Sequence, residues 1–433
     1  QFMLNLVSAS DALMLGVIGQ SELSAVSLAG QIQFVLSLFL TAITIGTNIF
    51  SAQYWGKKDT DAVERVLAIV IRMSVAIAFV FFLAALCVPG LLMRIFTSDE
   101  NLIELGIPYL RIVSWSYLFM SISQVYLCIM KNSGRTLRST VYGSVAVVMN
   151  VGLNAVLIFG LFGIPALGIR GAAIATTIAQ GTELLLTLIE NMRPNVVRLR
   201  PSYLFGRGGE LQKDTVRYTT PVLANRLVWG CGVTMISVIM GHLGSDATAA
   251  NALAAITKNV LLCVCHGIGT GGSILIGNEL GSGNLERAKE YGSRLCHAAL
   301  ISGTIAGGIL FLCSPVILHV AGGSLTPEAK GYLQGMLWIC SYYLIGKAIN
   351  STVIGGIFCA GGDAKFGFVC DTITMWVVVV PLGLIAAFLL KLPVLAVYFI
   401  LCLDEFVKLP AVYRHYKKYI WVKDLTVPAE DRK

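Results

Sequence analysis

Long apolar segments, separated by short polar turns, run through the whole 433-residue chain. A helix needs about 20 apolar residues to cross a bilayer, and helices satisfy their own backbone hydrogen bonds within lipid. The pattern therefore predicts an all-α polytopic membrane protein with about twelve transmembrane helices. The predicted spans are 1–18, 23–53, 63–88, 105–130, 139–162, 169–193, 216–241, 246–279, 284–320, 328–357, 364–390 and 392–418.

The composition agrees with a membrane protein. The chain is 56% hydrophobic and only 13% charged, with a mean hydropathy of +0.77, whereas soluble domains are about 25% charged. Its eleven cysteines lie mostly inside apolar runs, which argues against a framework of disulfides. The first residue is not Met, so we expect the chain to begin inside its first span, with N-terminal residues missing.

The basic residues are distributed asymmetrically between alternate loops. Most of the 32 Lys and Arg residues lie in 55–65, 131–138, 193–217, 281–294 and the C-terminal tail, and the intervening loops hold few. By the positive-inside rule the basic loops are cytoplasmic. We therefore expect a multi-pass protein of the plasma membrane with both termini in the cytoplasm. Topology explains the net charge of +8, so no nucleic-acid partner is expected.

The chain contains an internal repeat. Gly46 and Gly56 match Gly271 and Gly281 at an offset of 225 residues, and Pro165 matches Pro393 at an offset of 228. Six spans in each half give both halves the same orientation, related by an axis along the membrane normal. The predicted parts are an N-terminal six-helix lobe (1–193, first helix truncated), a cytoplasmic linker (194–215), a C-terminal six-helix lobe (216–418) and a cytoplasmic tail (419–433).

Asp11 is the only charged residue of the first span. A carboxylate is costly to bury in a membrane, so such a residue faces a cavity or a partner and marks a functional site by default. The alternative is a soluble core helix in which Asp11 caps or hydrogen-bonds a neighbour. The many further apolar segments favour the membrane interpretation.

Several segments together resemble the multidrug and toxic compound extrusion (MATE) family, within the superfamily that also includes lipid-linked oligosaccharide flippases. In the first half these are Asp11 before Gly16, SAQYWGKKD, and Asn150-x-x-x-Asn154 followed by GIPALGIRGAAIAT. In the second half they are GGIFCAGGDAKFGFVCDTITMWVVVVPLG and the segment at Trp421. The resemblance implies two six-helix lobes around a central V-shaped cavity, alternating access, and export of organic compounds against an influx of protons or sodium ions.

Polar residues of the first half are predicted to form the ion-coupling site. Asp11 lies about 10 Å deep, at 1.5 Å per residue, and Asn154 and Thr176 lie at a similar depth. Asn150 and Gln180 are each one turn away from these two on the same faces. An acid among neutral amides and hydroxyls could carry a proton, or Na⁺ could bind at Asp11. The alternative is a tight helix interface held by amide hydrogen bonds. Proton-coupled members resembling this half carry an acid at the position of Asn154.

The second half has different chemistry. Asn225, Arg226 and Trp229 lie in the seventh span, Lys347 in the tenth and Asp371 in the eleventh, and we predict that they line a substrate cavity. Related sequences often have Glu where this one has Arg226, so the sign is inverted. The charges form either an internal ion pair or triad, with Arg226 pairing Asp371, or a cationic pocket for an anionic substrate group.

These features predict a secondary-active exporter that works as a monomer on small organic substrates. It needs no cofactor and is driven by H⁺ or Na⁺. A lipid-linked saccharide or organic-anion exporter of the same superfamily is the main alternative. A membrane-embedded enzyme would need convergent catalytic groups, which the sequence does not show, and the two-lobe repeat disfavours a channel.

The predicted orientation can be tested by cysteine labelling in a cysteine-free background. Labels at Ser133 and Ser202 should react with an impermeant maleimide only from the cytoplasmic side, because both positions lie in basic loops. A label at Ser324 should react only from outside. Reversed accessibility at any of these positions would contradict the orientation.

Overall fold

The computed structural model describes residue 14 and residues 19–163, 165–194, 196–206, 209–321 and 325–427. These residues form helices and no strand, which confirms the all-α fold class. The first half contains α1 (Gln20–Gly56), α2 (Thr60–Cys87), α3 (Pro89–Arg94), α4 (Glu100–Asn132), α5 (Thr136–Phe159), α6 (Gly168–Asn191) and α7 (Pro201–Leu204). The second half contains α8 (Gly209–His242), α9 (Ser245–Gly281), α10 (Leu285–Ala321), α11 (Pro327–Thr352), α12 (Ala364–Leu389), α13 (Val394–Leu401) and α14 (Asp404–Tyr416).

Nine of the described helices are long and apolar enough to cross a membrane: α1, α2, α4, α5, α6, α8, α9, α10 and α12. The predicted tenth span corresponds to α11, which continues as a π-helix over Val353–Phe358. The predicted twelfth span, 392–418, is divided into α13 and α14 by a break at Cys402 and Leu403. The first predicted span lies outside the described residues, apart from Met14.

Local sequence signals set the ends of several helices. Asp59 and Asp99 accept hydrogen bonds from the backbone N–H groups of Ala62 and Asn101, and so cap the N-termini of α2 and α4. Such caps satisfy backbone donors that have no partner within the helix. Gly160 ends α5 in the left-handed region, at φ 74°, where a side chain would be strained.

The chain folds as two compact units. The first comprises Gln1–Ser51 and Asp59–Thr219, and the second Ala52–Lys58 and Thr220–Lys433. The first has an apolar core that includes Leu36 and Tyr117. The second has one core around Leu337 and another around Phe358 and Trp421. The domain boundaries drawn from the sequence remain a prediction.

The basic stretch predicted as a linker binds the first unit. The Glu64 carboxylate of α2 accepts a hydrogen bond from the Arg198 backbone N–H at 3.0 Å and pairs with Arg200 Nε at 2.6 Å. Tyr203 donates a hydrogen bond to Asp61. Because Glu64 is only 4% exposed, its charge needs this compensation.

Part of the predicted tail packs into the second unit. Trp421 is fully buried, and its ring contacts that of Tyr416. The Gln53 side chain, near the end of α1, donates to the Ala360 and Lys423 carbonyls and accepts from the Leu425 N–H. Within this unit, one buried amide therefore fixes the last described segment to the end of α1.

Gly56 of α1 and Gly281 of α9, which match in the internal repeat, each lie against the backbone of the other's helix. A Cβ added at Gly281 of α9 would collide with the Gln53 carbonyl, three residues before Gly56. A Cβ added at Gly56 of α1 would collide with the Asn278 carbonyl, three residues before Gly281. The ends of α1 and α9 thus approach closely, backbone against backbone, as small residues at helix interfaces allow.

The substitution Gly281→Ala should lower the free energy of unfolding by about 1–3 kcal/mol, because the added methyl group forces these helix ends apart. Gly271→Ala on the same helix is the matched control, since a Cβ there meets nothing within 4 Å, and it should be neutral or stabilising. Thermal unfolding in detergent, followed by circular dichroism, measures both. Equal stability of the two variants would contradict the close contact.

Candidate functional site

The first unit has a buried polar cluster between α5 and α6. Asn150 and Asn154 are 5% and 0% exposed. The Asn154 amide donates to Asn150 Oδ1 at 3.1 Å, and the Asn150 amide donates to Thr176 Oγ1 of α6 at 3.2 Å. Asn150 and Asn154 thus lie one turn apart on one face, as their spacing predicts, but the contact with Thr176 comes from Asn150 and not from Asn154, which was predicted at the depth of Thr176. The side chains of Asn150, Asn154 and Thr176 are all uncharged.

Gln180, one turn from Thr176, adds an acceptor to this cluster. Its buried Oε1 atom accepts no hydrogen bond in the described part of the chain. A buried acceptor without a donor is costly, so this atom is suited to a proton donor or a cation. Asp11, predicted at the same depth, lies outside the described residues. Met14, three residues further on, packs against the apolar core of the first unit.

The second unit has a network of buried charges centred on α14. Glu405 is fully buried and pairs with Lys347 of α11 at 2.8 Å and with Lys408 at 3.1 Å. Lys408 also pairs with Asp371 of α12 at 2.9 Å. The Asn350 amide donates to Glu405 Oε2 at 2.9 Å. Each charge therefore has an opposite charge within contact distance, as burial requires.

The structure connects four of the five residues predicted to line the substrate cavity. Asn225 of α8 donates to Asp371 Oδ2 at 2.7 Å. The Lys347 ammonium lies 5.6 Å from the centre of the Trp229 ring, within the range of a cation–π contact. Asp371 and Lys347 are joined through Glu405 and Lys408.

Arg226 is the exception, and it corrects the predicted pairing. It forms no ion pair with any residue that the structure describes, and its Nε is buried without a hydrogen-bond partner there. Asp371 pairs with Lys408 instead, because Lys408 projects from α14 between Asp371 and Glu405. Asp371 is therefore paired, but with Lys408 and not with Arg226.

The network depends on two residues, Glu405 and Lys408, that were not among the predicted site residues. Glu405 and Lys408 fit the (i, i+3) spacing of pairs on one helix face, and so give no indication of long-range partners. Both residues lie in the predicted apolar span 392–418. A charged residue inside such a span marks a functional site by default, so their position was a signal in the sequence, as it was for Asp11. Glu183 of α6, 3% exposed, was missed in the same way.

Comparison with known proteins identifies the family. The sequence model of the family described as MatE matches residues 1–156 and 221–401. The chain belongs to the MatE family. It is therefore a multi-span membrane transporter, as the resemblance in the sequence indicated.

Similar proteins cover nearly the whole chain. The probable multidrug resistance protein YoeA of Bacillus subtilis (strain 168) is 24% identical over 94% of this chain and 88% of its own length. The outward-facing conformation of a multidrug resistance MATE family transporter of the MOP superfamily superposes with a TM-score of 0.88 at 17% identity, over 96% of this chain and 92% of that one. The same values hold for a MOP superfamily transporter from Pyrococcus furiosus, for which reverse polarity of the binding pocket suggests a different function. At these identities the structural likenesses show the MatE fold alone.

A double-mutant cycle tests the charge network. Lys408→Met and Asp371→Leu should each lower the free energy of unfolding by about 3–5 kcal/mol, because each removes one partner of a buried ion pair. The double variant should lose less than the sum of the two. Unfolding in detergent, followed by circular dichroism, gives the coupling energy.

Two control cycles make the test specific. Arg226→Leu combined with Asp371→Leu should be additive, since these residues do not pair. The exposed pair Arg294 and Glu290, with side chains 69% and 55% exposed, should couple by at most about 1 kcal/mol. Additivity in the Lys408 cycle would contradict the network.

Proposed function

We propose that this MatE protein is a secondary-active exporter of organic compounds, working as an antiporter by alternating access. An influx of H⁺ or Na⁺ through the N-terminal lobe drives it. Family membership supports transport, and the similarity to a probable multidrug resistance protein of Bacillus subtilis supports organic compounds as the substrate class. The proposal includes a monomer in the plasma membrane with both termini in the cytoplasm.

The observation that carries this proposal is the neutral polar cluster of the first unit. Asn150, Asn154 and Thr176 are joined by hydrogen bonds between amide and hydroxyl groups, and Gln180 adds a buried acceptor one turn away. Such a site leaves an acid such as Asp11 free to exchange a proton, or to hold Na⁺ with neighbouring oxygen atoms. In the second unit, by contrast, the described carboxylates Asp371 and Glu405 are occupied by lysines.

A second candidate is an exporter of organic anions or lipid-linked saccharides. Arg226 favours it, because its guanidinium has no ionic partner among the described residues and its Nε is buried, and an anion stabilises a partly desolvated cation. Guanidinium binds carboxylate and phosphate groups in a bidentate geometry.

Transport in proteoliposomes separates these candidates. Purified protein is assayed with an imposed proton or sodium gradient against a panel of organic cations and anions. Gradient-driven movement of cations supports the first candidate. Movement of anions alone, lost in Arg226→Ala, supports the second. No gradient-driven movement of any compound would contradict both.

The substitution Asp11→Asn should abolish gradient-driven transport while the protein remains folded, because a neutral amide cannot bind and release a proton. Substrate binding, measured by fluorescence anisotropy of a dye, should persist. Asp99→Asn is the matched control: Asp99 caps α4, and Asn caps as well as Asp, so transport should be unchanged. Gradient-driven transport at the wild-type rate in Asp11→Asn would exclude this residue as the coupling site.

A further inference from the structure

One face of α6 is polar over most of the membrane thickness. Thr176, Gln180, Glu183, Thr187 and Glu190 follow one another at helical spacing, so all five lie within one stripe. The stripe is about 21 Å long at 1.5 Å per residue. It connects the polar cluster of the first unit with the basic end of the helix.

The opposite face of α6 is apolar and exposed. Ile178 is 43% exposed, Leu185 57% and Leu188 45%. In a membrane-spanning helix such a face contacts lipid. The polar stripe is therefore directed into the protein.

Glu183 is the unusual member of the stripe. It is 3% exposed, yet no described residue donates a hydrogen bond to its carboxylate or lies within ion-pair distance. Glu190, two turns nearer the cytoplasmic end, is fully compensated. It binds Arg135 and Arg138 at 2.9 Å each and Arg193 at 3.3 Å, and accepts from Tyr142 at 2.8 Å.

A buried carboxylate without a partner is unfavourable when ionised, and a protonated carboxyl is far less costly to bury. Among the residues packed around α6, Lys131 of α4 is the cation whose charge acts on Glu183, from beyond ion-pair distance. The two phenols near Glu190 donate elsewhere: Tyr126 of α4 donates to the Val197 carbonyl, and Tyr142 of α5 donates to Glu190. Glu183 is thus free to exchange a proton without breaking a bond to its neighbours.

We propose that Glu183 carries the coupling proton between the polar cluster at Gln180 and the cytoplasmic end of α6. This inference rests on the proposed antiport, and names H⁺ as the ion. The described members of the cluster, Asn150, Asn154, Thr176 and Gln180, are all neutral, and Glu183 supplies a carboxylate one turn beyond Gln180. On release the carboxyl O–H bond breaks, its electron pair stays on the carboxylate, and water at the cytoplasmic end accepts the proton.

The test uses the isosteric variant Glu183→Gln in the full chain, with Thr187→Val as the matched control. Thr187 lies on the same face, is equally buried, and donates its hydroxyl to the Leu184 carbonyl of its own helix, so its loss leaves the carboxylates intact. Two readouts are used. Infrared difference spectra across a pH titration detect a protonated carboxyl, and proteoliposomes measure proton-driven uptake of an organic-cation dye.

We expect a carboxyl band that titrates in the wild type and in Thr187→Val and is missing in Glu183→Gln. Proton-driven uptake should fall in Glu183→Gln to the level of empty liposomes and persist in Thr187→Val. Dye exchange at equilibrium, which needs no net proton movement, should persist in both variants, whereas a structural defect would abolish it.

Wild-type proton-driven uptake in Glu183→Gln would overturn the proposal, as would a spectrum in which no titrating band depends on Glu183. Transport driven by a sodium gradient alone would also overturn it, while leaving the proposed antiport intact. If the wild type responds to neither gradient, the antiport itself fails, and the infrared band still decides whether Glu183 binds a proton.

Discussion

The cost of placing a charge inside a membrane governs the chemistry of both units. In the second unit this cost is offset by direct pairing, with Glu405 between two lysines and Lys408 between two carboxylates. In the first unit the polar cluster consists of amide and hydroxyl groups, which carry no charge and so do not incur this cost. Glu183 of the same unit forms no ion pair with any residue that the structure describes. Paired charges hold helices in place, whereas an unpaired acid can exchange protons. This difference supports our proposal that ion coupling takes place in the first unit.

The features that depend on local sequence were predictable. Hydropathy located the spans because each helix must satisfy its own backbone and present an apolar surface to lipid. The stacking of Asn150 on Asn154 follows from helical spacing. Equal depths in consecutive spans placed Asn154 level with Thr176, whereas the hydrogen bond to Thr176 comes from Asn150, one turn away. Sequence separation thus determines the geometry within one helix, and the register between two helices depends on their packing.

The features that depend on packing between distant helices were not predictable in the same way. Lys347 and Glu405 are 58 residues apart, and the choice of Lys408 over Arg226 as partner of Asp371 depends on how α8, α12 and α14 are rotated. Both α11 and α12 also change from α-helix to π-helix just after their network residues, at Val353–Phe358 and Ile373–Val379. A π-helical turn contains an extra residue, which rotates the following side chains around the helix axis. A prediction that assumes a constant α-helical period therefore assigns the residues beyond these points to the wrong face of the helix.

The internal repeat relates the two polar sites directly. Thr176 and Asp404 are 228 residues apart, as are Gln180 and Lys408. The same offset separates Pro165, which precedes α6, from Pro393, which precedes α13 and α14. The same position of the fold thus holds a hydroxyl and an amide in α6 and a carboxylate and an ammonium in α14. In α14 the Lys408 ammonium lies among carboxylates, where it provides the positive charge that those groups need. In α6 the equivalent Gln180 supplies no charge, so in the antiport that we propose the positive charge beside Glu183 is the coupling proton. One half of the repeat thus has a lysine at this position, and we propose that the other half binds an exchangeable cation.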